Sequence, residues 1–364
     1  SAAPEDGSAE LFYNATLSIV PMLHAFSPFK PARSKAVMCL HRIIQCVGIR
    51  ATAPLAELLP SFIRNSDVTD IDQPIQVLNQ LMAEYGTADE EASDFALETL
   101  NLLMEFLDGL CGLVLDRLGE IYSQIIEAIE EQKSSGNTAK WQQEDNDDES
   151  NEGGAQSSLQ TEKESIQKLY VTFIQHITVY GCHPILLSEA NINRLPDIFG
   201  AITTALQGGG EESAAAVAST FNVKRPVLIS LANLTIKWLA SGVAISQEVT
   251  NLLVSLLCDV AIPLSFRACS DGSIDVSDAA SQGYLGDIGH LVWAMAIVKN
   301  NDTIHFLQES LLPSLGWPTE GIAELISMLA AVNQSTSPSN SGNTRVLSNF
   351  KESFKVLIRK LHGS

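Results

Sequence analysis

The chain has 364 residues, of which 45% are apolar and 6% aromatic, and its formal net charge is −21. That length allows a sizeable buried core and is too great for one compact helical bundle. No run of about 18 uncharged apolar residues occurs, and the first ten residues are small, polar and acidic. The sequence therefore predicts no membrane-spanning helix, no signal peptide and no membrane among its partners.

The charge is distributed unevenly along the chain. Residues 1–50 carry a net charge of +2, residues 51–159 carry −19 and residues 160–364 carry −4. A net charge of −21 argues against nucleic-acid binding by the chain as a whole. Because the acidity is concentrated in one segment, the two ends of the chain are less subject to that objection.

Apolar residues follow a helical period along almost the whole chain. Within 34–47, four of them share one helix face: Val37, Leu40, Ile44 and Val47. Ser34 is the predicted N-cap of this helix, and Gly48 is the predicted residue at its end. Further helices are predicted at 54–64, at 70 or 72 to 85, at 91–131 with a break near Gly109 or Gly112, and at 161–180, 191–206, 223–239, 246–260, 279–299, 302–315, 318–332 and 344–361.

Helices of this length, joined by short loops and without strand-like alternation, are typical of antiparallel helix pairs. Successive pairs recur at roughly 40 residues, which is the HEAT or armadillo period. The predicted fold is therefore an all-α, HEAT/armadillo-like α-solenoid of antiparallel helix pairs. We expect helical repeats at 1–132, an acidic, disordered insertion at 133–159, and carboxy-terminal repeats with a basic last helix at 160–364.

The sequence contains no motif that indicates catalysis. Serine-hydrolase, zinc-protease, P-loop and dinucleotide-binding patterns are absent, and the histidines are scattered. The six cysteines form no CxxC pair and are interpreted as reduced core residues. We therefore expect a protein that is not an enzyme, with no cofactor, no metal and no small-molecule substrate.

Residues 271–278 resemble a calcium-binding loop only superficially. Val276 stands where such a loop needs its turn glycine, and Gln282 stands where it needs a bidentate glutamate. The segment is better interpreted as a polar loop in which Ser277 or Asp278 caps the following helix.

Ordered segments of the chain resemble one known family. A K-x-x-x-x-L-H-R helix spans Lys35 to Arg42, and it is followed by Leu58-Leu59-Pro60 and by Leu78-Asn79-Gln80-Leu81. Later segments at 165–177, 259–281 and 306–318 keep the same order, with a basic helix at the end. In this order of segments the chain resembles the carboxy-terminal part of the exportin-T family, within the importin-β (karyopherin) superfamily.

The resemblance implies a nuclear export receptor that binds mature tRNA together with the GTP-bound form of the GTPase Ran. It also implies passage through the nuclear pore, contact with pore proteins, and shuttling between nucleus and cytoplasm. The Ran contact is expected mainly in an amino-terminal part of the receptor that this chain lacks. The carboxy-terminal part is expected to help wrap the RNA.

A carrier of all tRNAs must recognise phosphates and overall shape, so lysines and arginines are the candidate RNA contacts. Lys351, Lys355 and Arg359 recur at i, i+4 and i+8 on the last helix and should share one stripe. The complete candidate set adds residues from the same helix and from two other groups: Arg345, Lys360, Lys224, Arg225, Lys35, Arg42 and Arg267.

Other interpretations of the same features stay open. The basic stripe also suits a helix that caps a solenoid, since terminal repeats need a polar outer face. The acidic middle either discourages unselective nucleic-acid binding or is only a solvated face. Three tryptophans lie among apolar residues, which favours core packing over base stacking: Trp238, Trp293 and Trp317. A HEAT-type interaction scaffold, or a karyopherin with a protein cargo, is the main alternative function.

Overall fold

The structure is a computed structural model and describes residues 8–86, 93–139, 152–208, 214–240, 245–271, 274–335 and 341–363. Within these ranges every regular element is a helix. Internal contacts divide the chain into two compact units, Ser1–Arg194 and Leu195–Ser364.

The first unit is built from long α-helices joined by short turns. They are α1 (Ser8–Ala25), α2 (Lys30–Val47), α3 (Thr52–Asn65), α4 (Asp72–Tyr85), α5 (Asp94–Ala139) and α6 (Glu152–Val179). Short 3-10 turns occur at Gly48–Ala51, His183–Leu187 and Ile192–Arg194.

Alternate helices of this unit stack on one another. Helix α1 contacts α3, which contacts α5, while α2 contacts α4, which contacts α6. Helices α1 and α2 also pair directly, as do α5 and α6. Two stacked layers of alternate helices are the arrangement of HEAT and armadillo repeats, because each repeat buries its apolar face against its neighbours. The predicted all-α, HEAT/armadillo-like fold class is confirmed.

Local signals located several helix ends correctly. Helix α4 has the predicted bounds, and Gly48 ends α2 with a φ of 69° that favours glycine. The predicted N-cap Ser34 is wrong, because α2 begins at Lys30 and Pro31 fits its first turn. The break predicted near Gly109 or Gly112 is also wrong, since α5 is continuous from Asp94 to Ala139.

The second unit contains the remaining helices. They are α7 (Leu195–Gln207), α8 (Ala214–Leu234), α9 (Gln247–Ser255), α10 (Ile262–Ser270), α11 (Ala279–His305), α12 (Leu312–Ser314), α13 (Thr319–Ser335) and α14 (Ser341–Gly363). Asp278 is the N-cap of α11, because its Oδ2 accepts a hydrogen bond of 2.8 Å from the backbone N–H of Ser281. It is one of the two residues that the sequence predicted for this role.

Helix α11 is the centre of this unit. It contacts α8, α13 and α14, and its residues from Tyr284 to Ala296 are buried apart from the half-buried His290. A helix that is apolar on nearly all sides belongs in a core. The single acidic residue in this buried stretch is Asp287. Trp238, Trp293 and Trp317 are all buried in this unit, which confirms the core-packing interpretation.

Three π-helical segments widen the helices of the second unit, at Thr235–Ala240, Leu256–Ala261 and Phe306–Leu311. The second and third end two residues before a proline, Pro263 and Pro313 respectively. A proline ring clashes with the carbonyl one turn earlier and removes a donor, and a wider turn relieves both problems. The helix predicted to end at 260 therefore continues to Ser270.

The predicted insertion at 133–159 falls partly outside the described residues, since 140–151 are not described. Residues 133–139 belong to α5, and residues 152–159 belong to α6. The division of the chain at 132 and 159 stays a prediction, while the internal contacts divide the chain after Arg194. Trp141, within the insertion, also lies outside the described residues.

Two continuous helical stretches, Lys30–Asn65 and Gln247–Ser270, are long and apolar enough to cross a membrane by length and composition alone. The sequence analysis predicted neither as a membrane span, because no run of about 18 uncharged apolar residues occurs. About half of the apolar window is buried in each case, 50% and 44%. Core helices pass the same test, so length and composition do not identify a membrane span.

The cysteines are only partly core residues. Cys111, Cys182 and Cys269 are buried and Cys258 is half-buried, but Cys39 and Cys46 are exposed. The sequence interpretation was therefore wrong for the two cysteines of α2. Both lie on the face of that helix that its apolar periodicity leaves outside the core.

A buried ion pair provides a test of the first unit. Arg33 and Asp70 are 4% and 1% exposed, and their closest nitrogen and oxygen are 2.6 Å apart. Replacing Asp70 with alanine leaves a buried guanidinium without its partner, so we expect the free energy of unfolding in urea to fall by about 3–5 kcal/mol. Glu10→Ala is the control, because the Glu10–Arg50 pair is more than half exposed and should contribute under about 1 kcal/mol. Equal effects of the two substitutions would contradict this assignment.

Candidate nucleic-acid interface

The predicted basic stripe of α14 lies beside the apolar face of that helix. Phe350, Phe354, Leu357 and Ile358 are buried, and Phe354 packs edge-to-face on Phe266. Because Lys351, Lys355 and Arg359 follow the adjacent helical row, packing of the apolar face brings all three against α11. Lys351 and Lys355 are consequently half-buried, whereas Arg359 is exposed.

The stripe meets the buried carboxylate of Asp287 on α11. Arg225, from α8, donates a hydrogen bond of 2.8 Å from its Nε to Asp287 Oδ2, and the aspartate side chain is 8% exposed. Burial raises the pKa of Asp287, while the hydrogen bond from Arg225 and the charges of Lys351 and Lys355 oppose that rise. Three predicted residues from two helices are thus brought together around one acidic side chain.

Two glycines of α11 allow this close approach. A Cβ added to Gly283 would lie 2.8 Å from the Cζ atom of Arg225, so the guanidinium occupies the space that a side chain would need. A Cβ added to Gly286 would lie 3.2 Å from the Cε atom of Lys355. The two cationic side chains therefore lie across the backbone of α11, where any larger residue would displace them.

The group carries more positive than negative charge. Arg225, Lys351 and Lys355 face the single carboxylate of Asp287, which leaves a formal surplus of two. Burial lowers the pKa of the neighbouring His290 to about 4, with help from the charge of Lys351, so His290 adds no charge at neutral pH.

Two cationic side chains at the edge of this group have different partners, one charged and one neutral. Lys355 Nζ donates to Glu352 Oε1 at 2.7 Å, and this exposed glutamate offsets one charge. Arg359 donates from Nη2 to Gln282 Oε1 at 2.7 Å and keeps its full charge, because an amide is neutral.

The other predicted residues do not join the group. Lys360 pairs with Glu324 on α13 at 2.7 Å. Lys224 is half-buried, and the charge of Asp271 acts on it. Arg267 and Arg345 are exposed on α10 and α14.

Lys35 and Arg42 belong to the first unit, on the outer face of α2. They share that face with exposed apolar and sulfur-containing side chains: Met38, Cys39 and Cys46. A face of this composition is less suited to a phosphate backbone than the group around Asp287, because most of its area is not cationic.

Sequence reasoning missed Asp287, Gly283, Gly286 and Gln282. A signal for the aspartate was present, since a lone acid within an apolar helical run must be buried and therefore needs a cationic partner. The identity of that partner was not visible, because Arg225 lies 62 residues away in the chain.

A related arrangement occurs in the first unit. Arg194 donates from Nε and Nη2 to the two carboxylate oxygens of Asp116, at 3.1 and 2.8 Å. A Cβ on Gly112 would lie 2.8 Å from the Cζ atom of this arginine. In both units a glycine four residues before an aspartate makes room for an arginine from another element. In this case, however, Asp116 is 53% exposed.

A cavity of about 120 Å³ lies within the second unit, and all three π segments contribute to its lining. The walls are mainly apolar and include Leu239, Leu257, Cys258, Met295 and Phe306. Burial raises the pKa of the Cys258 thiol, so this thiol stays protonated at neutral pH and is a poor nucleophile. The cavity is therefore a mainly apolar space, although Lys299 and Asp302 also belong to its lining. In the part of the chain that the structure describes, no three His, Cys, Asp or Glu side chains could hold a metal ion.

Comparison with known proteins connects the chain to one family. The Exportin-T family model matches residues 149–337. Exportin-T of Dictyostelium discoideum is 21% identical over 356 residues, which are 97% of this chain and 27% of that protein. The chain thus spans about a quarter of the length of this relative. No solved structure matches the chain.

The glycines of the helices give a graded test of this arrangement. Gly283→Ala should displace Arg225 and leave the buried Asp287 without its hydrogen bond, lowering the free energy of unfolding by about 1–2 kcal/mol despite the gain in helix propensity. Gly112→Ala should be nearly neutral, because the Asp116 that Arg194 would release is largely exposed.

Gly109→Ala is the matched control, because a Cβ there meets nothing within 4 Å. We expect this change to raise the free energy of unfolding by about 0.5–1 kcal/mol. Chemical denaturation of the three variants measures the order, and a stabilising Gly283→Ala would contradict the described contact.

Proposed function

This chain belongs to the exportin-T family, and from that premise we propose that it is part of a nuclear export receptor for mature tRNA. In this proposal it binds tRNA cooperatively with Ran-GTP, passes through the nuclear pore in contact with pore proteins, and shuttles between nucleus and cytoplasm. The observation that carries the proposal is the surplus of positive charge that α8 and α14 bring to the buried Asp287.

The geometry supports recognition of RNA backbone rather than of base sequence. The group consists of cationic side chains on packed helices, and no aromatic side chain is presented with it for stacking on bases, among the residues described. Cations that contact phosphates bind different sequences alike, which is what a carrier of many tRNAs requires. The candidate contacts are first Arg225, Lys351, Lys355 and Arg359, and then Arg345 and Lys360 on the same helix.

A role as an interaction scaffold, or as a receptor for a protein cargo, is the second candidate. The net charge of −21 favours it, and so do large exposed apolar side chains in the first unit, such as Phe26, Phe29 and Met38. Filter binding of labelled tRNA to the full-length receptor that contains this chain, with and without Ran-GTP, separates the two. An export receptor should bind tRNA more tightly with Ran-GTP, whereas a scaffold should show no such difference.

Neutralising the outer part of the stripe tests the RNA contact. We expect the double variant Lys355→Gln, Arg359→Gln to weaken binding of every tRNA by roughly tenfold at physiological salt. The dependence of log Kd on log salt should become shallower by about one to two, since up to two counterion-releasing contacts are lost. Both quantities come from filter binding across a salt series.

The double variant Lys30→Gln, Arg50→Gln is the control. It also removes two positive charges, but from the first unit, where Lys30 and Arg50 form exposed ion pairs with Asp67 and Glu10. A net-charge effect alone would lower affinity equally in both double variants. That result would reject the stripe as a contact.

A further inference from the structure

We propose that Arg225, Lys351 and Lys355 form one binding site for a backbone phosphate of RNA, and that Asp287 is the positioning residue that holds it in shape. The inference rests on the proposed function, because the phosphate is taken to be that of tRNA. It goes further in assigning a role to a buried acidic residue that never needs to touch the RNA.

The first support is the availability of donors. Arg225 uses its Nε for Asp287, while its Nη1 and Nη2 groups make no hydrogen bond with any described residue. The arginine side chain as a whole is 41% exposed, and its guanidinium lies over Gly283 of α11. Two parallel N–H donors are the arrangement that binds two oxygens of one phosphate.

The second support is the ammonium group of Lys351. It is half-buried and makes no hydrogen bond within the described part of the chain, although the charge of Asp287 acts on it. Burial lowers the pKa of Lys351, because the helix packing removes its charge partly from water. A phosphate oxygen would supply the missing acceptor and would return the energy lost by desolvation.

The third support is the way in which the cations are held together. Three like charges repel one another, and a carboxylate that bonds Arg225 and attracts both lysines helps to keep them close before RNA arrives. Asp287 does this from inside the helix packing, since its side chain is 8% exposed and is therefore fixed in position. Gly283 and Gly286 leave Arg225 and Lys355 in contact with the α11 backbone, which restricts their other conformations.

Asp287→Asn distinguishes positioning from simple charge, because the two explanations predict effects of opposite sign. The variant makes the chain less negative, so charge alone predicts tighter binding of a polyanion. Positioning predicts weaker binding, by roughly five- to tenfold, since the guanidinium loses its charged anchor and the cations separate. The measurement is filter binding of labelled tRNA to the full-length receptor that carries the variant, with Ran-GTP at fixed salt.

Glu352→Gln is the matched control. It removes one negative charge beside the same stripe, from an exposed residue bonded to Lys355. Here both explanations predict equal or tighter binding. If Asp287→Asn and Glu352→Gln both tighten tRNA binding, the positioning role of Asp287 is overturned.

Arg225→Lys keeps the test decisive if Asp287→Asn folds poorly, which circular dichroism and the melting temperature would reveal. It conserves charge but loses the paired donors, so we expect severalfold weaker binding, whereas Arg50→Lys, in an exposed ion pair of the first unit, should bind like the unchanged receptor. Unchanged binding by Arg225→Lys overturns the phosphate site. If the full-length receptor with the unchanged sequence fails to bind tRNA with Ran-GTP, the proposed function itself is rejected.

Discussion

The packing of the second unit depends on how the carboxylate of Asp287, which folding buries, is paired with cations. A buried charge is costly unless it is paired and hydrogen-bonded, so α8, α11 and α14 can pack as they do only if cations reach Asp287. Arg225 and the lysines of α14 satisfy that requirement. The same requirement concentrates positive charge at one place. In a chain with a net charge of −21, such a concentration would not arise from composition alone.

The two glycine–aspartate–arginine arrangements have similar geometry, but they differ in the solvent exposure of the aspartate and in how many arginine donors are used within the protein. In the first unit Arg194 binds Asp116 with two donors and also bonds the carbonyl of Ala190, so its donors are largely used within the protein. In the second unit one bond to a buried aspartate leaves two arginine nitrogens available. The first arrangement ties one element to a helix. The second also ties one helix to another, and it leaves Nη1 and Nη2 of Arg225 without a hydrogen-bond partner among the described residues.

Much of the fold was predictable because the relevant signals are local. Apolar periodicity and a following glycine gave α4 its correct bounds, and the spacing of Lys351, Lys355 and Arg359 correctly placed them on one helix face. The order of several short segments along the chain pointed to the family that the comparisons confirm. Glycines were misjudged for a physical reason. Gly112 was interpreted as a helix breaker, whereas its missing side chain makes room for Arg194 from a segment far along the chain.

The segregation of charge has a consequence for the speed of encounter. The whole chain carries a net charge of −21, of which −19 lies in residues 51–159, so a polyanion is repelled at long range by the net charge and attracted only at short range by local cations. At about 0.1 M salt the long-range repulsion fades beyond roughly 10 Å, and added salt weakens it further. Association of a polyanion should then quicken with ionic strength even as each complex lives for a shorter time.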